Sequence, residues 1–306
     1  MSITPQTPEL EALGVSIRAG ADELERTRRI PSSLLDELHQ SGVLKLLLPR
    51  SVGGGEAAPA DYLEIIEYLA KFDGSIAWNV FVANSAAIIA AFLEHPVALE
   101  IFGSGRSLLA WGPPNSHRAH AIEGGYRVSG EWHFASGCRQ ANWMGVHCQV
   151  VESSGQPRLD HRGQPAVRTL LFPAERAELI DNWDTLGLRG TASDGYRVAD
   201  LEVAEAFSAT REDPDGRVEQ GPLYAIPMQG LYAVGVAGVA LGMARAMLDE
   251  CVQLATHKAP RGLGRLADSA TVQGDIARVE AVLESARVWL KHILTDIYPS
   301  PLKMRI

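Results

Sequence analysis

The sequence predicts an α+β protein in which a small β domain sits between two helical segments. Three observations carry this. From Glu9 to about Phe102 apolar residues recur at helical spacing, near Leu108 the period changes to two, and after Pro227 two long helical runs follow. The boundaries expected on this basis are 1–107 for an all-α domain, 108–207 for the β domain, 208–222 for a linker and 223–306 for a helical bundle.

In chain order, Pro31 opens a helix for which Ser32 and Ser33 offer caps, Leu34, Leu35 and Leu38 supply its apolar face, and Gly42 ends it. Gly53 to Gly55 form a loop before an amphipathic run, Ala60 to Phe72, with Tyr62, Ile65, Ile66 and Leu69 on one face. The stretch Ser75 to Leu93 is long enough to span a bilayer but carries Asn79, Asn84 and Ser85, so it reads as a buried helix. Tyr126, Val128, Gly130, Trp132 and Phe134 alternate with polar residues as in a half-buried strand, after a hairpin turn at Gly124-Gly125. Further strands are expected at Trp143 to Val151, Val167 to Phe172 and Tyr196 to Val203. The charged segment Ser208 to Pro222 reads as a linker. Helical runs then cover Met228 to Thr256 and Asp268 to Ile297, the second with Val272, Ile276, Val279, Val282, Leu283, Ala286 and Leu290 on one stripe. Bundles usually use about four helices, so this unit reads as incomplete, and the tail Tyr298 to Ile306 as cut rather than capped.

Composition narrows the function classes. Among 306 residues, 28 Lys plus Arg face 37 Asp plus Glu, a net charge of −9 that lacks the basic excess of a phosphate-reading surface. No nucleic acid or membrane partner is expected. Three cysteines, Cys138, Cys148 and Cys251, are too few and too scattered for a disulfide framework, and no secretory signal opens the chain, so a reducing cytoplasm is expected.

Several motifs fail on context. Gly262-Leu-Gly-Arg-Leu-Ala267 matches a dinucleotide fingerprint in letters but joins two helices instead of following a strand. Gly238-x-x-x-Gly242 suits close packing in a bundle as well as a membrane dimer. His117, His120 and His147 beside Cys148 lack a third ligand at metal-site spacing. No G-x-S-x-G elbow is present.

Two segments remain: Gly125-Tyr-Arg-Val-Ser-Gly-Glu-Trp-His-Phe-Ala-Ser-Gly137, and Trp183-Asp-Thr-Leu-Gly-Leu-Arg-Gly-Thr-Ala-Ser193. An aromatic followed two residues on by a hydroxyl, at a strand end, suits a flat cofactor with a polar edge. Trp132 and Trp143 read as core aromatics, and Arg189 with Asp194 reads equally well as a loop ion pair. In this order and between helical segments, the two motifs resemble the acyl-CoA dehydrogenase superfamily, and Trp-x-Phe-Ala-Ser-Gly is similar to its branch of two-component flavin monooxygenases. The resemblance implies an N-terminal helical domain, a central small antiparallel β-barrel and a C-terminal helical bundle, in a homotetramer with flavin between barrel and bundle. It implies that Phe134 flanks the flavin ring, that Ser136 bonds its N5 edge, and that Trp183 and Thr185 approach the ring.

Departures from the dehydrogenase pattern favour the monooxygenase branch. Desaturation needs a positioned carboxylate base, which the family places either in the first bundle helix, where Met228 to Leu248 contains no Asp or Glu, or in a region beyond Ile306. Trp111-Gly-Pro-Pro-Asn-Ser-His-Arg replaces the family's acidic segment before the flavin strand. His257-Lys258-Ala-Pro-Arg-Gly replaces its Arg and Phe-Gly, leaving Lys258 as a point-charge phosphate contact. The expected enzyme takes reduced FMN or FAD from a separate flavin reductase and uses O2 to hydroxylate a small aromatic or other hydrophobic substrate. Its site must exclude water; the helix Ala77 to Leu93 is apolar enough to line it, and an ordinary core explains that composition at least as well. Its catalytic residue is expected beyond Ile306. An acyl-CoA dehydrogenase, or a non-catalytic remnant of the family, is the alternative.

Overall fold

The computed structural model describes residues 7–298 except 212, 262 and 263. Helix α1 (Pro8–Thr27) is capped by Thr7, whose hydroxyl accepts from the Leu10 amide. Helix α2 (Ser32–Ser41) ends at Gly42, whose φ of 77° is the left-handed geometry that glycine adopts without penalty. The N-cap of α2 is Pro31, so Ser32 and Ser33 lie inside the first turn and make no capping bond. Helix α3 (Pro59–Ala70) buries Tyr62, Ile65, Ile66 and Leu69 completely, as its spacing predicts. Helix α4 (Gly74–Ala87) is capped by the Asp73 carboxylate, and α5 (His95–Phe102) follows. The stretch Gly74–Phe92 is long and apolar enough to cross a membrane, but 78% of its most apolar window is buried inside the protein.

The middle third holds eight strands: β1 (Leu109–Trp111), β2 (Arg118–Ile122), β3 (Gly125–Ala135), β4 (Trp143–Val151), β5 (Val167–Pro173), β6 (Glu178–Ile180), β7 (Asp194–Ala204) and β8 (Ser208–Ala209). Their order is β6-β7-β3-β2-β4-β5-β8, with β1 also on β4. This corrects the expected antiparallel barrel in two respects. The path does not close, and both β1 and β2 run parallel to β4, sharing one of its edges end to end. Tyr126, Val128, Trp132, Met144, Val146, Leu170 and Tyr196 form the core of this sheet.

The segment expected to be a linker is fastened down. It contains β8, and the Val218 and Glu219 amides both donate to the Ala91 carbonyl. Helices α6 (Met228–His257) and α7 (Ala270–Ile297) then pack on the N-terminal helices. At the α3–α6 crossing a Cβ on Gly242 would lie 2.2 Å from the Glu67 carbonyl oxygen, so small residues here serve close helix packing. The Glu67 carboxylate, buried in α3, accepts from Arg287 Nε of α7 at 3.0 and 3.1 Å. One apolar cluster therefore runs from Leu10 through Leu69 and Phe81 to Leu231 and Leu283. The predicted stripe of α7 is only partly covered: Leu283 is buried, while Val279 and Val282 are exposed. The tail beyond Tyr298, and Gly262 and Leu263 of the glycine motif, lie outside the described residues.

Candidate flavin site

A cavity of about 500 Å³ opens where the sheet meets α4 and the start of α6. Trp78, Val82, Ser85 and Ala86 of α4 form one wall. The end of β3 supplies Phe134 and Ser136, the loop before β7 supplies Trp183, Leu188, Thr191 and Ser193, and α6 supplies Met228, Gln229 and Tyr232.

Phe134 reaches this cavity because β3 breaks its alternation. Simple period two puts Phe134 on the buried face with Trp132, but the register with β7 shifts between Trp132 and Ala135. Phe134 takes φ 60°, a left-handed conformation that is strained for an aromatic residue. Phe134 is 61% exposed, while Trp132 and Ala135 on either side of the bulge are fully buried. Leu188, which also lines the cavity, and the buried Ala192, between the lining residues Thr191 and Ser193, have positive φ as well, and strained backbone tends to gather at functional sites.

Ser136 is tied into a hydroxyl network. Trp78 Nε1 donates to Ser136 Oγ at 3.0 Å, Ser136 Oγ lies 2.6 Å from Ser193 Oγ, and Ser193 Oγ lies 2.8 Å from Thr191 Oγ1. Thr191 donates to the Leu188 carbonyl at 2.9 Å, which commits its one proton. Ser193 then has one proton for two neighbours. When it goes to Ser136, the Ser136 proton is available to an acceptor in the cavity.

Trp183 is clamped by its backbone. Its amide donates to Asp194 Oδ1 at 3.0 Å and its carbonyl accepts from Arg28 at 2.8 Å, while its indole donates to the Leu188 carbonyl. The Trp183 ring stands edge-on to Phe134, with centroids 6.1 Å apart. Asp194 is buried and pairs with Arg139 at 2.5 Å, whereas Arg189 pairs with Asp184, so the Arg189–Asp194 loop pair weighed as one alternative does not form. Thr185 does not line the cavity, and its hydroxyl donates to the Gly187 carbonyl. Lys258 lies outside it as well, exposed at the C-cap of α6.

Spacing did not single out the other lining residues. His147, weighed in the sequence as a metal-type donor, instead shares a 2.8 Å hydrogen bond between its Nδ1 and Thr169 Oγ1 and lines the cavity edge-on to Trp111. Burial, and then the charge of Arg211, hold its imidazole well below the usual 6.5. Because the unfolded chain takes up a proton near 6.5 and the folded imidazole resists it, stability is expected to fall as pH drops below that value, by up to about 1.4 kcal/mol at pH 5.5. Melting curves at pH 7.5 and 5.5 should show a smaller acid loss in His147→Gln than in the wild type; equal losses would remove His147 as its source.

The exposed Phe134 ring, the Ser136 hydroxyl and the aromatic wall fit the flat face and polar edge of a flavin. Comparison with known proteins agrees. Residues 14–95 match the family model for the acyl-CoA dehydrogenase N-terminal domain and residues 234–300 the model for its C-terminal domain. The chain is 33% identical over 288 residues to an indole-3-acetate monooxygenase of Pseudomonas putida, covering 92% of this chain and 71% of that protein. It is 27% identical over 282 residues to the oxygenase component of an FADH2-dependent resorcinol hydroxylase of Rhizobium sp., covering 88% of this chain and 67% of that one. The solved structure of XiaF from Streptomyces sp. in complex with FADH2 and glycerol superposes with a TM-score of 0.85 at 24% identity, covering 96% of this chain and 75% of that one. Helices packed around a mixed sheet and these matches together place the chain in the acyl-CoA dehydrogenase superfamily, in its branch of two-component flavin-dependent monooxygenases.

Proposed function

We propose that the cavity between sheet, α4 and α6 is the oxygenase site, where reduced FMN or FAD from a reductase meets O2 and a small aromatic substrate. The observation that carries this reading is the outward turn of Phe134 beside the Ser136 hydroxyl in a cavity walled by aromatic and apolar side chains. When bound, the reduced flavin supplies the electrons that activate O2. The chain's own residues bind and shield: Phe134 and Trp183 pack on the ring system, and Ser136 offers its proton to the N5 edge. Val82, Ala86, Leu109 and Met228 exclude water, which protects a reactive flavin from side reactions. Among the described residues no Asp or Glu lines the cavity.

The reading extends to a cytoplasmic homotetramer built from the three segments 1–107, 108–207 and 223–306, with Lys258 directed to the flavin phosphate of a neighbouring copy and Thr185 to the approach loop. Exposed apolar side chains on α6 and α7, such as Met247, Val282 and Trp289, support association. Supplying photoreduced flavin, 18O2 and aromatic candidates such as indole or resorcinol should give a hydroxylated product carrying one labelled oxygen by mass spectrometry. Reduction of oxidised flavin by an acyl-CoA, without any reductase, would overturn the reading.

A further inference from the structure

The hydroxyls behind Ser136 form one directed chain, and its direction can reverse. With Ser193 donating to Thr191, every proton runs one way: Trp78 Nε1 to Ser136, Ser136 to Ser193, Ser193 to Thr191, and Thr191 to the Leu188 carbonyl. That carbonyl also accepts from the Trp183 indole at 3.0 Å, so the chain ends on an atom that only accepts. Hydrogen bonds in such a run polarise one another. In this setting the Ser136 proton is used inside the protein, and one Ser136 lone pair is left for a donor in the cavity. With Ser193 donating to Ser136 instead, that lone pair is filled and the Ser136 proton turns to the cavity. Neither setting orphans a proton inside the protein, which matters because Thr191 is 1% and Ser193 6% exposed and water offers them no partner.

The two settings match the two redox forms of a flavin ring. Oxidised, its N5 accepts a hydrogen bond; reduced, N5 carries a proton and donates one. Hydrogen bonds at the ring nitrogens are a lever by which a protein tunes a flavin. We propose, on the flavin reading of this cavity, that Ser193 and Thr191 are positioning residues that set Ser136 as acceptor for the reduced ring and as donor for the oxidised one. Ser193 is the pivot, and Thr191 holds the reduced setting by accepting the Ser193 proton. Without the Ser193 hydroxyl the reduced setting strands the Ser136 proton, since Trp78 Nε1 only donates. Without the Thr191 hydroxyl it strands the Ser193 proton. The oxidised setting strands no proton in either case.

The test titrates FMN and FAD, each oxidised and photoreduced, into the full chain under anaerobic conditions and follows the ratio of the two dissociation constants for whichever binds more tightly. Ser193→Ala and Thr191→Val are each expected to weaken the reduced form about tenfold relative to the oxidised one, within the range for a buried donor left unpaired. The midpoint potential of the bound flavin should fall by about 30 mV in step, the tenfold equivalent for a two-electron couple. Thr191→Ser keeps the hydroxyl and should keep the wild-type ratio. A merely structural role weakens both forms together and leaves ratio and potential unmoved. Melting curves identify any loss of fold, and Thr191→Val with Thr191→Ser decides if Ser193→Ala does not fold. An unchanged ratio in Thr191→Val, or the same change in Thr191→Ser, would overturn the proposal. Ser136→Ala separates the two levels of inference. If it weakens flavin binding while the ratio stays fixed in the other variants, the relay falls and the flavin reading stands; if it leaves both affinities unchanged, or no flavin binds the wild type, both fall.

Discussion

Asp194→Ala is expected to cost about 3–5 kcal/mol of stability and to release the Trp183 loop. Removing one member of a buried ion pair leaves the other charge unpaired in low dielectric, and that penalty dominates the effect. Asp194 has 2% of its side chain exposed and Arg139 11%, so water does little to compensate. The same carboxylate also accepts from the Asn182 and Trp183 amides, which lose their partner in the variant. Arg139 keeps a contact to exposed Asp181, which places the expected cost toward the lower end. Urea unfolding measures it, and Asp194→Asn, which retains an acceptor, should lose less. A midpoint shift under about 1 kcal/mol in Asp194→Ala would mean that Arg139 finds full compensation elsewhere.

The second large effect falls on ligand binding and spares the fold. With Phe134 61% exposed, Phe134→Ala removes little buried surface, so the melting temperature should shift by no more than about 2 °C. Reduced-flavin affinity is expected to fall by about 1–3 kcal/mol, up to a hundredfold or so in Kd, the range of aromatic stacking on a flat heterocycle. Relief of the left-handed strain is small, since alanine at φ 60° is strained as well. Anaerobic titration of reduced flavin reads the effect directly. Unchanged affinity would remove Phe134 from the flavin face.

Order and type of the long elements were legible because their periods are long and their ends are punctuated. Trp143–Val151 is a strand with the expected bounds, and Met228 opens α6 as expected after Pro227. Strands β1, β2, β6 and β8 are two to five residues long, too short to show a period, and with them went the parallel pairings that keep the sheet from being a simple antiparallel one. Within the site, the two motifs led to Phe134, Ser136 and Trp183. Thr185 missed the cavity because the Trp183 loop turns it toward Gly187. Trp78, His147 and Arg211 come from three elements far apart in sequence, and only the tertiary fold brings them together. The outward turn of Phe134 was hidden for a local reason: a bulge breaks alternation without altering residue type, and no glycine at that position signals it.

The single apolar cluster shared by the first and last helices also sets a timetable for synthesis. The Tyr224 hydroxyl closes on the Leu47 carbonyl across 177 residues, and Arg287 reaches Glu67 across 220. At roughly 5–20 residues per second, the ribosome takes on the order of 10 to 40 s to deliver α7 after α3 has emerged. Until α6 follows, for most of that interval, the faces of α3 and α4 that will receive it have no native partner, while the sheet between them can already pair its strands. The nascent chain therefore carries uncovered apolar surface at its N-terminal end, and slowing translation of the sheet segment lengthens its exposure to aggregation.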